Sequence, residues 1–305
     1  MAERIAGIWW FMFWVSVAVV AFVGALLVVG MVRRRRRSGD DGAETEEPTS
    51  TRRWEGRLLL FGGVVGPLLI LFVLWLLTLR DVDLLAEPPR PPALTVDVVG
   101  RLWWWEVRYP QHRIVSANEV HIPVGQPVRL RLTTNGVIHS FWVPQLAGKT
   151  DMITGKVNTM WLEAERPGVY RGQCAEYCGI QHANMAFFVI AHPEAAFQQW
   201  LAEHASIPPE PTDPLLERGR SLFVTGTCAT CHTIRGTPAT GTVGPDLTNF
   251  GSRLTIGAGA VPNRPGYLGG WIVDSQSIKP GNLMPPIQVG AHELQALIAY
   301  LQSLK

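Results

Sequence analysis

Two long stretches without a charged residue constrain this 305-residue chain more than any other feature. Residues Ile5 to Val32 hold no Asp, Glu, Lys or Arg, and neither do residues Leu58 to Leu79. About 20 apolar residues in a helix cross a bilayer, so each stretch is long enough for one span. A cleaved export signal would have a shorter apolar core, a basic start and a small-residue cleavage site. Here the start is Glu3-Arg4, the core carries Trp9, Trp10 and Trp14, and no such site follows. The first stretch therefore reads as an uncleaved helix, its tryptophans suited to the membrane–water interface. Gly62, Gly63, Gly66 and Pro67 in the second are tolerated within a membrane helix. Between the spans lies an unbroken run of arginines, Arg33 to Arg37, followed by a polar segment and then Arg52, Arg53 and Arg57. Outside a membrane context such a run would suggest nucleic acid. Between two apolar spans it reads as a positive-inside signal, and no nucleic-acid partner is expected. The expected topology has the N-terminus outside, the arginine loop in the cytoplasm and everything after Arg80 outside. The 47% hydrophobic content agrees with membrane segments.

Beyond the spans the texture changes twice. Glu87-Pro-Pro-Arg-Pro-Pro92 is a stiff linker, so residues 1–92 form the membrane hairpin with its loop and linker. Short β-rich runs follow at Leu94–Val99, Trp104–Tyr109, Glu119–Val124, Pro127–Thr134, Thr159–Glu165, Gly168–Gln173 and Ala186–Ala191. Gly125, Gly136, Gly148 and Pro167-Gly168 punctuate them, the pattern of an all-β sandwich or barrel over 93–204. A short helix from Pro193 to about Glu203 closes it. A second proline-rich linker, 205–213, leads to a compact domain at 214–305. Asp213-Pro214 is an N-cap and first-turn pair opening a helix through Phe223. Leu294, Leu297, Ile298 and Leu301 have the spacing of one helix face between Ala291 and Leu304.

The chemistry sits in four cysteines. Cys174-Ala-Glu176-Tyr-Cys178-Gly-Ile-Gln-His182-Ala-Asn-Met185 gathers two thiols, an imidazole and a thioether within twelve residues. These are soft ligands that suit copper. Cysteines four apart can point both sulfurs into one loop and bridge two metal ions. His139, at an expected strand end in Asn135-Gly-Val-Ile-His139, can supply a second imidazole. A Cys174–Cys178 disulfide and a Cys2His2 zinc site are the alternatives, and neither calls for the methionine or the intervening glutamate. Cys228-Ala-Thr-Cys231-His232 is the C-x-x-C-H signature of covalent c-type haem attachment. Such attachment occurs outside the cytoplasm, in agreement with the topology read from the arginines. Met284, in Asn282-Leu-Met284-Pro-Pro286, is the sole methionine after Met185 and the candidate axial ligand opposite His232. His/Met ligation raises a haem potential.

The copper cluster resembles the CuA centre of cytochrome c oxidase subunit II, and the resemblance runs from the first helix to about His204. It implies a cupredoxin-like barrel in which Cys174 and Cys178 bridge two coppers. His139, His182, Met185 and the Glu176 carbonyl complete the set, and the Glu176 side chain helps bind a magnesium ion shared with the large subunit. Trp103, first of Trp103-Trp104-Trp105, occupies the place where the family's first tryptophan receives electrons, with Trp104 in place of the usual tyrosine. Lys149 to Asn158 matches another family segment that shapes the site. Glu55 precedes the second span, where the family often has a glutamate at the mouth of a proton channel. The C-terminal part resembles class I cytochromes c, which implies that the Pro245 carbonyl accepts the proximal histidine's N–H within Gly244-Pro245-Asp246-Leu247.

Together the chain resembles subunit II of a caa3-type oxidase with a fused cytochrome. The implied fold is multi-domain and membrane-anchored: a transmembrane α-hairpin, an all-β cupredoxin-like barrel and an all-α cytochrome c domain. The implied activity is electron entry to an oxidoreductase of the bacterial plasma membrane. Electrons pass from an external cytochrome c or membrane-bound donor to haem c, then to CuA, then to subunit I. Oxygen is reduced and protons are translocated there, with subunit III as a further partner. No catalytic residue is expected in this chain itself. The rival class is a membrane-anchored copper-binding or delivery protein, or a stand-alone electron carrier. A nitrous-oxide-reductase-like chain would need a histidine-rich cluster domain that eight histidines cannot supply.

Overall fold

The computed structural model describes residues 2–37 and 49–305, in two compact units, 1–87 and 88–305. The first unit is helical. Helix α1 spans Ala2–Arg37, and a second rod is built from α2, Thr49–Leu60, and α3, Gly66–Ala86. The two join through a π-helical turn at Phe61–Val65. Pro67 has no N–H to offer the carbonyl four residues earlier. The ladder slips there, and the Gly66 N–H bonds the Phe61 carbonyl. Among the described residues, the apolar windows of both rods hold no buried side chain. Backbone bonds closed within each helix are what a hydrocarbon environment requires. Arg4 at the start of α1 lies 3.9 Å from Asp81 near the end of α3, so the rods run antiparallel. The polar segment 38–48 lies outside the described residues. Glu55 is exposed and falls within α2 rather than before the helix begins.

The second unit opens with ten strands. These are β1 Leu94–Arg101, β2 Trp104–Tyr109, β3 Ile114–Ala117, β4 Glu119–Pro123, β5 Val128–Thr134, β6 His139–Trp142, β7 Thr150–Met152, β8 Asn158–Leu162, β9 Gly168–Cys174 and β10 Ala186–His192. They form two five-stranded sheets, ordered β3-β2-β1-β5-β8 and β4-β10-β9-β6-β7. Strand β1 alternates buried and half-buried positions, as one covered face demands. Val96, Val98, Trp105, Leu130, Leu132, Phe141, Phe187 and Val189 fill the space between the sheets. Gly172 lies under the Phe187 ring, where a Cβ would come within 2.2 Å of Cζ. All seven expected runs are strands, and β3, β6 and β7 are additions. Strand β3 is four residues long and follows Arg113 in the left-handed region (φ 55°). Too short for a period to show, β7 exists through its pairing of Met152 with His139. Helix α4, Glu194–Ala205, packs Phe197, Trp200 and Leu201 under the barrel.

The C-terminal part is helical: α5 Pro214–Thr225, a single turn α6 Cys228–Cys231, α7 Pro265–Ile278 and α8 Ala291–Ser303. Asp213 caps α5, its Oδ1 accepting the Leu215 N–H at 2.8 Å. Helices α5 and α8 cross at Gly219, where a Cβ would lie 2.1 Å from the Ala296 carbonyl. Phe223, Leu297, Tyr300 and Leu301 form the core beside that crossing. A small ribbon, β11 Thr255–Ile256 with β12 Val261–Pro262, precedes α7. Gly266, Gly269 and Gly270 lower the helix propensity of α7, so no helical pattern is legible there. The C-terminal part is not merely tethered by 205–213. It lies against the barrel, with the Leu254 N–H on Glu119 Oε1 at 2.6 Å and the Ala186 N–H on the Ala258 carbonyl at 3.0 Å.

Candidate metal centres

The end of β9, the loop after it and the start of β6 bring the six candidate copper donors together. Cys174 and Cys178 are both free and buried. Their sulfurs stand 3.8 Å apart, far from the ~2.05 Å of a disulfide. The Cys174 Sγ lies 3.8 Å from His139 Nδ1 and 3.2 Å from the Glu176 carbonyl. The Cys178 Sγ lies 3.7 Å from His182 Nδ1 and 3.8 Å from Met185 Sδ. Among the described residues, His139, Cys174 and Cys178 place their donor atoms within 4.8 Å of one another. The β6–β9 pairing of Phe141 with Cys174 sets this register. Gly100 of β1 makes room for the His139 ring, since a Cβ there would come within 2.7 Å of its Cδ2.

The donors fit a soft metal. The His139 side chain is fully buried and its Nε2 has no hydrogen-bond partner among the described residues, while Nδ1 faces the sulfurs. The thiols compete for one proton. Hydrogen bonding from Cys178 lowers the Cys174 pKa, against the opposing effect of burial. The bond to Cys174 and burial raise Cys178. The two sulfurs hold their protons unequally, and a bound cation would displace them.

The second cluster forms around an apolar cavity. Cys228, Cys231, His232 and Met284 all line it. The His232 Nδ1 lies 2.7 Å from the Pro245 carbonyl, in the orientation expected of a proximal imidazole. Burial lowers the His232 pKa, opposed by that same bond. Gly244 packs on the ring so closely that a Cβ would stand 2.5 Å from Cε1. Met284 is held by its main chain: its N–H bonds Asn282 Oδ1 at 2.8 Å, and its carbonyl accepts from Ser275 Oγ at 2.8 Å and Gln276 Nε2 at 3.1 Å. An apolar cavity with two free thiols, an oriented imidazole and a thioether on its walls fits a covalent haem.

Leu102, Trp103 and Trp104 of the barrel also line this cavity. The Trp103 indole N–H donates to the Cys178 carbonyl at 2.8 Å, and Gly179, in a φ of +113°, lets the ring pack down on the loop. The other two tryptophans differ: Trp104 lies under the Arg101 guanidinium, and Trp105 is buried against Phe141 and Phe187. Residues 112–192 match the family model described as cytochrome c oxidase subunit II, periplasmic domain, and residues 216–305 match that for cytochrome c. A cytochrome c oxidase subunit 2 of Alkalihalophilus pseudofirmus is 36% identical over 295 residues, covering 95% of this chain and 83% of the relative. The chain belongs to the cytochrome c oxidase subunit 2 family.

A subunit 2 from Bacillus sp. strain PS3 is 34% identical over 254 residues, 78% of this chain and 71% of that one. The solved periplasmic domain of subunit II from Bradyrhizobium japonicum is similar at 28% identity, covering 38% of this chain and 95% of that one with a TM-score of 0.37. As a subunit 2, this chain is part of an oxidoreductase, carries two membrane helices ahead of a periplasmic domain, and includes a cytochrome c domain. Four residues of the subunit went unread in the sequence. Ser275, Gln276 and Asn282 brace the Met284 loop, and Lys279 ties that loop to the barrel. Isolated polar residues near a Pro-Gly turn carry no local signal of such roles.

Proposed function

We propose that this subunit relays electrons from an external donor, through haem c, to a dinuclear copper centre and on to subunit I. In this reading Cys228 and Cys231 would hold the haem covalently, and His232 and Met284 would supply its iron ligands. His139, Cys174, the Glu176 carbonyl, Cys178, His182 and Met185 hold two coppers. The Glu176 side chain contributes to a magnesium site against subunit I. Oxygen is reduced to water there with proton translocation, and subunit III completes the assembly. The donor is a cytochrome c or a membrane-bound carrier. The N-terminus and both metal-binding parts face the periplasm, with the arginine run inside.

The observation that carries the reading is Trp103. One side chain forms part of the haem cavity wall and donates a hydrogen bond to the carbonyl of Cys178. This chain's residues hold and orient the centres, and the bound metals supply the redox chemistry. The test is metal content in the purified complex: two coppers and one covalent haem per chain, with a mixed-valence copper spectrum. Cys178→Ser should abolish that spectrum and leave the haem in place. One copper per chain, or zinc at the thiols, would refute the copper assignment.

A further inference from the structure

A lysine is buried where barrel and cytochrome meet. Lys279 is 2% exposed. Its Nζ donates to the carbonyls of Trp103 at 2.8 Å, Asn184 at 2.7 Å and Gly257 at 2.7 Å. Three donors meet three acceptors, so the ammonium is fully satisfied. Burial lowers Lys279 to about 7. Three carbonyl oxygens face the nitrogen, so the protonated form is the one these bonds require. The carbonyls come from three segments: the β1–β2 turn, the loop of the copper donors, and the β11–β12 turn.

The two residues after Lys279 also touch the copper loop. Gln181 Nε2 donates to the Pro280 carbonyl at 2.6 Å. Gly281, at φ +79°, packs so tightly that a Cβ would come within 2.2 Å of Ile180 Cδ1. Asn282 then bonds back to the Lys279 carbonyl at 2.8 Å and forward to the Met284 N–H. Residues 279–284 are thus a strap with one end on the copper loop and the other at the candidate haem ligand. Trp103 is held at both ends, its indole by Cys178 and its carbonyl by Lys279.

We propose that Lys279 is a positioning residue for electron transfer: by fixing the Trp103 main chain it holds the indole between the haem cavity and the copper loop. This rests on the relay reading above. Each transfer moves one electron from ferrous haem iron to the oxidised copper pair, with no bond made or broken. The lysine is not what keeps the two parts together. Glu119 on the Leu254 N–H, Arg235 on the His204 carbonyl and Ala186 on Ala258 dock them independently.

The test uses the assembled oxidase, with an electron injected photochemically into haem c and its arrival at the copper pair timed. Lys279→Met removes the three bonds and keeps an unbranched side chain one atom shorter. It should slow transfer at least about tenfold, since ~1 Å of misplacement between reacting groups is costly, while the spectra and potentials of both centres stay unchanged. Lys279→Arg, which keeps charge and donors, should recover part of the rate. Should Lys279→Met fail to accumulate, Lys279→Leu, which also lacks a donor, is read the same way. Transfer at the wild-type rate would overturn the proposal, and so would slowing that appears only with an altered copper or haem spectrum. Absence of haem-to-copper transfer in the wild-type complex would overturn the relay itself, and the role of Lys279 with it.

Discussion

Gly244→Ala should raise the haem potential without dislodging the haem. A Cβ at this position would stand 2.5 Å from His232 Cε1, 2.8 Å from Nδ1 and 3.0 Å from Nε2. Carbon contacts are comfortable near ~3.5 Å, so the ring must retreat by about 1 Å. Part of the strain can be relieved by the loop, but the Gly244 N–H is bonded to the Cys231 carbonyl at 2.7 Å and holds it close. The Nδ1 contact to the Pro245 carbonyl, now 2.7 Å, would stretch beyond hydrogen-bonding range. That bond makes the imidazole a stronger donor and favours ferric iron. Its loss removes ~1 kcal/mol of that preference, and with ~59 mV per tenfold change for one electron the potential should rise by roughly 40 mV. Redox titration of the haem band checks this, with denaturing gels showing the haem still covalently bound. An unchanged or lowered potential would refute the reasoning.

Met284→Ala should shift the potential the other way, because an axial thioether raises it; an unchanged potential and spectrum would mean another ligand. Acid should destabilise the barrel. Burial lowers His204 to about 3 and His192 to about 4, and lowers His121 as well. All three should therefore be neutral in the fold and charged in the unfolded chain below its ordinary value of ~6.5. Stability is complete above that pH and falls as pH drops from ~6.5 toward 4. Denaturation midpoints measured between pH 7 and 4 should decline, and His204→Gln should flatten the decline.

The spans, the alternating strands, the Asp213 cap and the C-terminal helix were legible in the sequence because each rests on a local period or a capping residue. The candidate donors were legible for a different reason: Cys174 to Met185 and Cys228 to His232 are packed into short motifs. What stayed hidden depends on contacts between distant residues. Strand β7 exists through its pairing with β6, and α7 is masked by its glycines. Lys279, read alone, is a lysine before a Pro-Gly turn, where exposure is the ordinary outcome. Its burial follows from the docking of the cytochrome on the barrel, 176 residues from Trp103 in sequence. The linker at 205–213 suggested a tether, and proline content cannot reveal that Glu119 waits for the Leu254 N–H.

The order of transfer is the central claim, and rapid mixing tests it most directly. The fully oxidised complex is mixed with one electron equivalent of reduced native donor, and haem c and copper absorbance are followed together. The haem should be reduced first, then reoxidised in step with reduction of the copper pair. Copper reduction that precedes haem reduction, or proceeds without it, would contradict the account.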